Sequence, residues 1–279
     1  MTIESPALYV LATPIGNLAD LSQRAIAVLR EVPWVAAEDT RHSTPLLRHH
    51  ASPARLLPAH QHNEEAAASR ILEKLGGGEA VALISDAGTP AVSDPGARIV
   101  ARVQAAGFKV IPVPGPCAAI AALSAAGFDC PQHLFYGFLP SKAGQRRQVL
   151  GELRPLPWTL VFYEAPHRIL ETVADLAECL GAEREIVLAR ELTKLFESIK
   201  RLPLGEALAW LQGDTNRQKG EFVLAVSGCQ DDNSAAEGER VLRLLLAEGL
   251  PVKQAARLAA TLTGASKNAL YERALALKD

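Results

Sequence analysis

Residues 81–90 read VALISDAGTP, and this stretch predicts both the fold class and the place of a functional site. Its first four residues form a short apolar run that is typical of a β-strand. The next six residues are Ser, Asp, Ala, Gly, Thr and Pro, which favour a turn. A strand that ends in a polar loop is common in α/β proteins, where ligands bind outside the carboxyl ends of the strands.

The same alternation of strand and helix patterns continues on both sides of this stretch. In the first half we predict strands at 8–12, 34–37, 81–84 and 108–113, and helices at 21–30, 64–75 and 97–106. In the second half we predict strands at 134–138, 159–163, 186–189, 197–201 and 222–226, and a helix at 169–180. This alternation predicts an α/β protein whose strands pair mainly in parallel.

Proline and glycine positions suggest three domains. Residues 112–116 read PVPGP, and three prolines in five residues end a strand abruptly, so we place a boundary there. The predicted domains are an N-terminal α/β domain at 1–113, a C-terminal α/β domain at 114–229 and a helical tail at 238–279. Residues 229–239 are polar and predict a flexible tether. The tail has helix-turn-helix spacing, with Ser266 as the N-cap of its last helix.

Composition excludes several classes of protein. The 279 residues are 48% hydrophobic and 22% charged, which excludes wholesale disorder. The net charge of −2 provides no global attraction to nucleic acid or to anionic membranes, although residues 240–279 hold seven Lys or Arg against three Asp or Glu. The four cysteines fit neither a zinc pattern nor a dense disulfide framework. Because no signal peptide is visible either, we expect reduced thiols and a cytoplasmic location.

Polar loops follow most of the predicted strands. They read TPIGN at 13–17, EDTRH at 38–42, SDPG at 93–96, PGP at 114–116 and YEAPHR at 163–168. Any one of them could be a plain turn, but together with the loop at 85–90 they predict a ligand cleft. No G-x-G-x-x-G follows a strand and no Gly-Lys pair could close a Walker A loop. A helix that starts at Pro116 would either direct free N–H groups at a ligand or pack at the domain junction.

In this order, these motifs resemble the tetrapyrrole-methylase-like, class III S-adenosylmethionine methyltransferases. AEDTR at 37–41 and FYEAPHR at 162–168 resemble the branch that methylates the ribose 2′-hydroxyl of a cytidine in 16S rRNA of the small ribosomal subunit, and ARELTK at 189–194 and KGEF at 219–222 extend the likeness. The resemblance implies two α/β domains, a homodimer, and the methyl donor S-adenosylmethionine bound in the cleft between the domains.

The resemblance also implies a set of donor-binding residues. Asp86 could offer a carboxylate to the donor, while Gly88 and Gly115 would permit a backbone approach that a side chain would block. The full set is Pro14, Gly16, Ser85, Asp86, Ala87, Gly88, Thr89, Pro90, Pro114, Gly115, Pro116, Ala118, Ala119, Tyr163, Glu164, Ala165, Glu221 and Phe222.

Methyl transfer to a hydroxyl needs placement of the two reactants and benefits from a base, but it demands no metal. The candidates for the base are Glu38, Asp39 and Glu164, among which the sequence does not choose. Arg41 would hold a phosphate or orient a carboxylate, although residues 38–41 could also be a salt-bridged helix start. The histidines lack the spacing of a metal site; they are His42, His49, His50, His60 and His62.

Seven cations and one amide side chain near the predicted cleft suggest RNA contacts. The candidates are Asn17, Arg41, Lys142, Arg146, Arg147, Arg168, Arg190 and Lys194. Residues 142–147 could grip phosphates or simply form a solvated helix face, and the basic tail could bind RNA or dock on its own protein. Two other functions stay open: methylation of a tetrapyrrole or other small acceptor, and a non-catalytic role in ribosome assembly.

Overall fold

The computed structural model describes residues 3–61, 63–229 and 234–277, so His62 lies outside the described residues. The chain divides into two compact units. The first contains Met1–Leu150 and Trp158–Ser227, and the second contains Gly151–Pro157 and Gly228–Asp279. Both β-sheets lie in the first unit.

The first sheet is parallel throughout and has the order β3-β2-β4-β1-β5. Its strands are β1 (Ala7–Leu11), β2 (Trp34–Ala37), β3 (Arg55–Pro58), β4 (Val81–Ile84) and β5 (Lys109–Val113). The helices between them are α1 (Gln23–Glu31), α2 (Thr40–His49), α3 (Glu64–Gly76) and α4 (Ala97–Ala105). The predicted strands of this half are confirmed, whereas β3 had no prediction and α2 was anticipated only by the alternative of a helix start at 38–41. Since the strands are parallel, their carboxyl ends all lie at one edge of the sheet.

Helices cover both faces of this sheet. On one face, Tyr9, Leu11 and Val35 pack against Val28 and Leu29 of α1. On the other face, strand residues pack against α3 and α4; this cluster contains Leu8, Ala36, Val81 and Leu83 with Ile71, Leu75, Ile99 and Val103. Successive strand residues thus contribute to opposite cores, as expected for a strand that is buried on both sides.

The second sheet is mainly antiparallel, so the predicted parallel pairing holds for the first sheet and not for the second. Its order is β6-β7-β10-β8-β9, and only the β6–β7 pair is parallel. Its strands are β6 (His133–Phe138), β7 (Thr159–Glu164), β8 (Glu185–Arg190), β9 (Ser198–Pro203) and β10 (Phe222–Val226). β10 enters between β7 and β8 and runs opposite to both. The direction of a strand depends on where the chain re-enters the sheet, which a strand-and-helix pattern does not encode.

The helices of this half are α5 (Ala118–Ala126), α6 (Ala143–Leu153), α7 (Ile169–Leu180) and α8 (Leu204–Gln212). Cys117 is the N-cap of α5, so the predicted helix start at Pro116 is two residues early. The helix is terminated by Gly127, which has the left-handed conformation. The small residues Ala119 and Ala122 are buried against Val161 and Val223 of the sheet. Alanine at these positions lets the helix lie close to the strands.

The second unit carries the predicted helical tail, which consists of α9 (Ser234–Ala247), α10 (Val252–Thr263) and α11 (Lys267–Ala276). The turn between the last two helices has Gly264 in the left-handed conformation, and the Ser266 side chain accepts from Ala269 N, which confirms the predicted cap. The predicted flexible tether at 229–239 is wrong from Ser234 onward, where α9 begins, while residues 230–233 lie outside the described part. No helix among the described residues has the length and apolarity needed to cross a membrane.

Arg146 is buried rather than presented to a phosphate, which corrects its predicted RNA contact. Its side chain is 2% exposed, and its Nε donates to Asp175 Oδ2 at 2.6 Å. Arg147 Nε donates to the other oxygen of the same carboxylate at 2.7 Å. The guanidinium of Arg146 also donates to the carbonyl of Ser141 at 3.2 Å. Asp175 therefore joins α6 to α7 through two arginines.

Replacing Asp175 with Ala should destabilise the fold, because it would leave the buried Arg146 charge with only the exposed Glu171, 3.7 Å away, as an ion-pair partner. We expect a loss of about 3–5 kcal/mol in the free energy of unfolding, measured by urea denaturation. The matched control is Glu178→Ala, since Glu178 is exposed and lies 3.4 Å from Arg147; it should cost less than about 1 kcal/mol. Equal losses in the two variants would contradict a structural role for the buried pair.

Candidate functional site

Two loops of the first sheet are joined to each other directly after their strands. Thr13, after β1, and Gly88, after β4, exchange two backbone hydrogen bonds: Thr13 N donates to Gly88 O at 2.8 Å, and Gly88 N donates to Thr13 O at 3.1 Å. The Thr13 hydroxyl also donates to Ser85 O at 3.1 Å. Gly88 has a φ of +78°, which favours glycine. The predicted loops at 13–17 and 85–90 therefore meet at one edge of the sheet.

The loop after β5 lies against the same place. Thr89 Oγ1 donates to Pro116 O at 3.0 Å, which attaches the loop after β4 to the turn that leads into α5. A Cβ atom on Gly115 would lie 3.0 Å from Ala12 Cβ, so this turn passes close to the end of β1. The absence of a side chain permits that approach.

The second sheet contributes Tyr163, at the carboxyl end of β7. Its hydroxyl oxygen accepts a hydrogen bond from Ala119 N at 3.2 Å, in the first turn of α5. This N–H group is therefore already paired, which revises the expectation that it is free for a ligand. Burial raises the pKa of Tyr163 well above its usual value, with a smaller contribution from Cys117. The phenol thus stays neutral and holds the helix start in place.

A cavity of about 340 Å³ lies between these loops and the ends of β7, β8 and β10. The loops of the first sheet and the start of α5 contribute Ile15, Ala87, Gly88, Thr89, Val92, Ser93, Asp94, Cys117 and Ala118. The second sheet and its loops contribute Phe138, Tyr163, Glu164, Ala165, Pro166, Ala189, Leu192, Lys194, Glu221, Phe222 and Val223. The volume lies in the range of small-molecule sites.

Half of the predicted donor-binding residues line this cavity. They are Ala87, Gly88, Thr89, Ala118, Tyr163, Glu164, Ala165, Glu221 and Phe222. The others lie in the same loops or in α5 but do not line it; they are Pro14, Gly16, Ser85, Asp86, Pro90, Pro114, Gly115, Pro116 and Ala119. The sequence reasoning missed Asp94, although the SDPG loop at 93–96 contained the signal.

Three carboxylates lie near one another beside the cavity. Asp86 Oδ1 accepts from Asp39 N at 3.0 Å, which joins the loops after β4 and β2. The pKa of Glu38 is raised, first by burial and then by the negative charges of Asp94 and Asp86. The pKa of Asp94 is raised too, again first by burial and to a smaller extent by Asp86. Glu38 and Asp94 are therefore weaker acids than free carboxyl groups.

Asp39 and Arg41 form the salt-bridged helix start that was the alternative to a catalytic role. Asp39 Oδ1 accepts from Arg41 N at 2.8 Å as the N-cap of α2, and its other oxygen lies 2.8 Å from Arg41 Nη2. Hydrogen bonds from Arg41 hold the pKa of Asp39 well below its usual range. A carboxylate with such a low pKa is a poor proton acceptor.

Glu164 also has a structural task. Its side chain has no exposed area, and it accepts from Thr172 Oγ1 at 2.5 Å and from Ala165 N at 2.8 Å. Arg168 Nε lies 3.4 Å from the same carboxylate, and its Nη2 donates to Leu139 O at 2.8 Å. Glu164 therefore fixes the turn after β7, and although the residue lines the cavity, its side chain has no exposed area.

The rim formed by the loop after β8 is held by another network. Lys194 Nζ donates to Glu191 Oε1 and to Glu221 Oε2, both at 2.9 Å. Glu191 Oε1 also accepts from Glu221 N at 2.9 Å. A Cβ atom on Gly220, whose φ is +87°, would lie 2.6 Å from Glu191 Oε1. Glycine at 220 is thus required by the backbone conformation and by the space that Glu191 occupies.

Most of the side chains predicted to contact RNA bind other groups of the protein instead. Arg190 donates to Phe196 O at 3.0 Å and to Lys219 O at 3.3 Å, and Asn17 Oδ1 accepts from Ala19 N. Arg146, Arg147, Arg168 and Lys194 have the partners given above. Arg41 is 90% exposed despite its ion pair, and Lys142 is exposed. In the described part of the chain, no group of three His, Cys, Asp or Glu side chains could hold a metal ion.

Comparisons with known proteins agree with this architecture. Residues 7–208 match the family described as Tetrapyrrole (Corrin/Porphyrin) Methylases, and residues 232–278 match the RsmI C-terminal HTH domain. The crystal structure of uroporphyrin-III-C-methyltransferase from Thermus thermophilus has a TM-score of 0.56 at 21% identity, over 79% of this chain and 94% of that one. The methyltransferase CobJ has a TM-score of 0.60 at 20% identity, over 80% and 94%. Fold and family together define a methyltransferase of the tetrapyrrole methylase class.

A further Thermus thermophilus structure, with a TM-score of 0.57 at 18% identity over 79% of this chain and 97% of that one, is a complex with S-adenosyl homocysteine. Two curated relatives are both named Ribosomal RNA small subunit methyltransferase I. The one from Pseudomonas aeruginosa is 55% identical over 96% of each chain, and the one from Escherichia coli O157:H7 is 51% identical over 96% of this chain and 94% of the other. The chain therefore belongs to the ribosomal RNA small subunit methyltransferase I group of the tetrapyrrole methylase family.

Replacing Gly220 with Ala should destabilise the rim. The matched control is Gly78→Ala, because Gly78 has a similar φ of +83° but has no atoms within 4 Å of a new Cβ. Both variants should lose about 1–2 kcal/mol from the left-handed backbone. Gly220→Ala should lose about 1–3 kcal/mol more, because Glu191 must leave its hydrogen bonds. Chemical denaturation measures the difference, and equal losses would show that Glu191 moves at no cost.

Proposed function

We propose that this protein transfers the methyl group of S-adenosylmethionine to the ribose 2′-hydroxyl of a cytidine in 16S rRNA of the small ribosomal subunit. The observation that carries the proposal is the identity of 45–55% with proteins named for small-subunit rRNA methylation, over 94–99% of their lengths. The likeness to tetrapyrrole enzymes is at 16–21% identity and supports only the fold.

The size and the lining of the cavity support the binding of S-adenosylmethionine. Its volume of about 340 Å³ and its largely apolar lining suit a nucleoside-sized ligand. The left-handed Gly88 brings the backbone of the loop after β4 to the cavity surface without a side chain. Ala118 supports the ligand from α5, and Ala165 and Phe222 close the cavity from the second sheet. We assign these residues to donor binding.

The bound donor supplies a methyl group on a positively charged sulfur, which is activated for in-line displacement. The residues of the protein then have three tasks: to bind the donor, to orient the ribose hydroxyl along the displacement axis, and to keep water out. Placement accounts for most of the rate enhancement in such a reaction. A base that takes the hydroxyl proton adds to it.

Few of the exposed cations of the first unit are assigned to contacts with the RNA acceptor. Lys142 lies four residues after Phe138, which lines the cavity, and it forms no ion pair with a described residue. In the tail, Lys253, Arg257 and Lys267 are exposed on α10 and α11. We assign these side chains to phosphate contacts, since cations at a helical surface position RNA without reading its sequence.

Domain organisation, oligomeric state and cellular location are proposed from the same family membership. We propose an N-terminal α/β domain at 1–113, a C-terminal α/β domain at 114–229, a helical tail at 238–279, and a homodimer that acts in the cytoplasm, where small subunits are assembled. Two observations support this organisation. One is the family resemblance, and the other is that the strands of the first sheet all precede residue 114 in the sequence, whereas those of the second sheet all follow it.

Loss of the protein from cells should remove one ribose methyl group from a cytidine of 16S rRNA, and the wild-type chain should restore it. The measurement is mass mapping of nucleotides from small-subunit RNA. In a second assay, the purified protein should bind S-adenosylmethionine by calorimetry and transfer a labelled methyl group to isolated small subunits. Transfer only to a porphyrinoid would establish the small-acceptor alternative, and donor binding or ribosome binding without any transfer would favour an assembly factor.

Replacing Lys142 with Ala should weaken binding to small subunits without changing donor affinity. The loss of one phosphate contact should reduce the slope of log K against log salt by about 0.7–0.9, measured by filter binding at several salt concentrations. The control is Lys109→Ala, because Lys109 is exposed at the amino end of β5, opposite the edge where the loops converge. An unchanged slope in the Lys142 variant would contradict a phosphate contact.

A further inference from the structure

Four charged residues line the cavity, and three of them have structural partners. Glu164 is fully buried on Thr172 and the backbone of Ala165. Lys194 and Glu221 pair with each other at the rim. Asp94 is the fourth, and no described lysine or arginine forms an ion pair with it. It is therefore the carboxylate on the cavity surface that is left for chemistry.

Asp94 has polar and acidic neighbours from three strands. Ser85, at the end of β4, acts to lower the pKa of Asp94, while its hydroxyl donates to the carbonyls of Ala87 and Gly88, both at 3.3 Å. Asp86 follows on the same loop, Glu38 faces it from the end of β2, and Tyr163 faces it from β7. Burial and the charge of Asp86 together raise its pKa, which makes the ionised carboxylate a better proton acceptor.

The loop that carries Asp94 is held in a costly conformation. Ala91 and Ser93 both have left-handed backbones, with φ values of 68° and 62°. Ala91 N donates to Pro95 O at 3.2 Å, and Gly96 N donates to Glu64 Oε1 at 2.7 Å. From the second sheet, Gly137 approaches so closely that a Cβ on it would lie 2.6 Å from Ser93 Oγ. Such strain persists only where the surroundings enforce it, so the position of Asp94 is set from both sheets.

We infer that Asp94 is the general base of the methyl transfer. In this step the ribose O2′ forms a bond to the methyl carbon, the bond between that carbon and the sulfonium sulfur breaks, and the hydroxyl proton moves to Asp94. The electron pair of the broken bond stays on sulfur, which becomes a neutral thioether, and the proton on Asp94 is released to solvent afterwards. The inference rests on the proposed function.

The geometry favours Asp94 over the three bases expected from sequence. Asp39 is neutralised by Arg41 and caps α2. Glu164 is fully enclosed, and Glu38 is not among the residues that line the cavity, although burial and then the charge of Asp94 raise its pKa. Asp94 alone among these carboxylates combines access to the cavity with freedom from a cation.

Since the base must be ionised, the transfer rate should rise with pH through the pKa of Asp94 and then level off. The test uses Asp94→Asn and Asp94→Glu, with Asp129→Asn as the matched control because Asp129 is exposed in a loop outside the cavity. Two quantities are measured: donor affinity by calorimetry, and the single-turnover rate on small subunits with saturating donor, from about pH 5 to about pH 9.

We expect Asp94→Asn to keep its donor affinity within about threefold, and its transfer rate to fall by about 10²–10⁴-fold, the usual contribution of a general base. The acid limb of its pH profile should disappear. Asp94→Glu should recover part of the rate together with the acid limb, and Asp129→Asn should match the wild type in both quantities. Retained donor binding also shows that the variant is folded.

Three outcomes would overturn the inference. A wild-type rate in Asp94→Asn would exclude Asp94 as the base. A loss of donor affinity with an unchanged rate at saturating donor would make Asp94 a binding residue. Retention of the acid limb in Asp94→Asn would assign the proton to another group. If the wild-type protein transfers no methyl group to small subunits, the proposed function fails as well, and that result is distinct from the first three.

Discussion

The paired hydrogen bonds between Thr13 and Gly88 are the contact on which the site depends. They join the loops that follow two adjacent parallel strands, so both loops rise from the sheet as one unit. Thr89 then attaches this unit to the turn before α5, whose first turn is held by Tyr163 of the second sheet. A continuous chain of hydrogen bonds therefore runs from the first sheet to the second, and the cavity lies along it.

Charged residues in this protein mostly serve its own structure. Arg146 binds the carboxylate that joins two helices, Arg168 binds the carbonyls of the loop after β6, and Arg190 binds the carbonyls of two neighbouring loops. A guanidinium can donate several hydrogen bonds in a fixed plane, which makes arginine well suited to hold loop carbonyls together. For this reason a count of cations near the cleft overstates the surface that is available to RNA.

The carboxylates near the cavity also differ in their surroundings. Some are bound to cations of the protein and others are not, and this difference affects their pKa values. Asp39 is stabilised as an anion by Arg41, whereas Glu38 and Asp94 lie half-buried beside other negative charges. Opposite shifts in pKa thus arise within one loop cluster: hydrogen bonds from Arg41 lower the pKa of Asp39, whereas burial and neighbouring negative charges raise the pKa of Glu38 and of Asp94. Among the described residues, neither Glu38 nor Asp94 forms an ion pair with a lysine or arginine, and of these two only Asp94 lines the cavity.

The sequence by itself determined four of the five strands of the first sheet, the loops that carry the site, the family and the helix-turn-helix tail. These features follow from local periodicity, turn residues and motifs, which act over a few neighbouring positions. Only the tertiary structure decided the antiparallel course of the second sheet, the burial of Arg146 and Glu164, and the place of Asp94 in the cavity. Burial and charge coupling arise between residues far apart in the chain, so no local pattern records them.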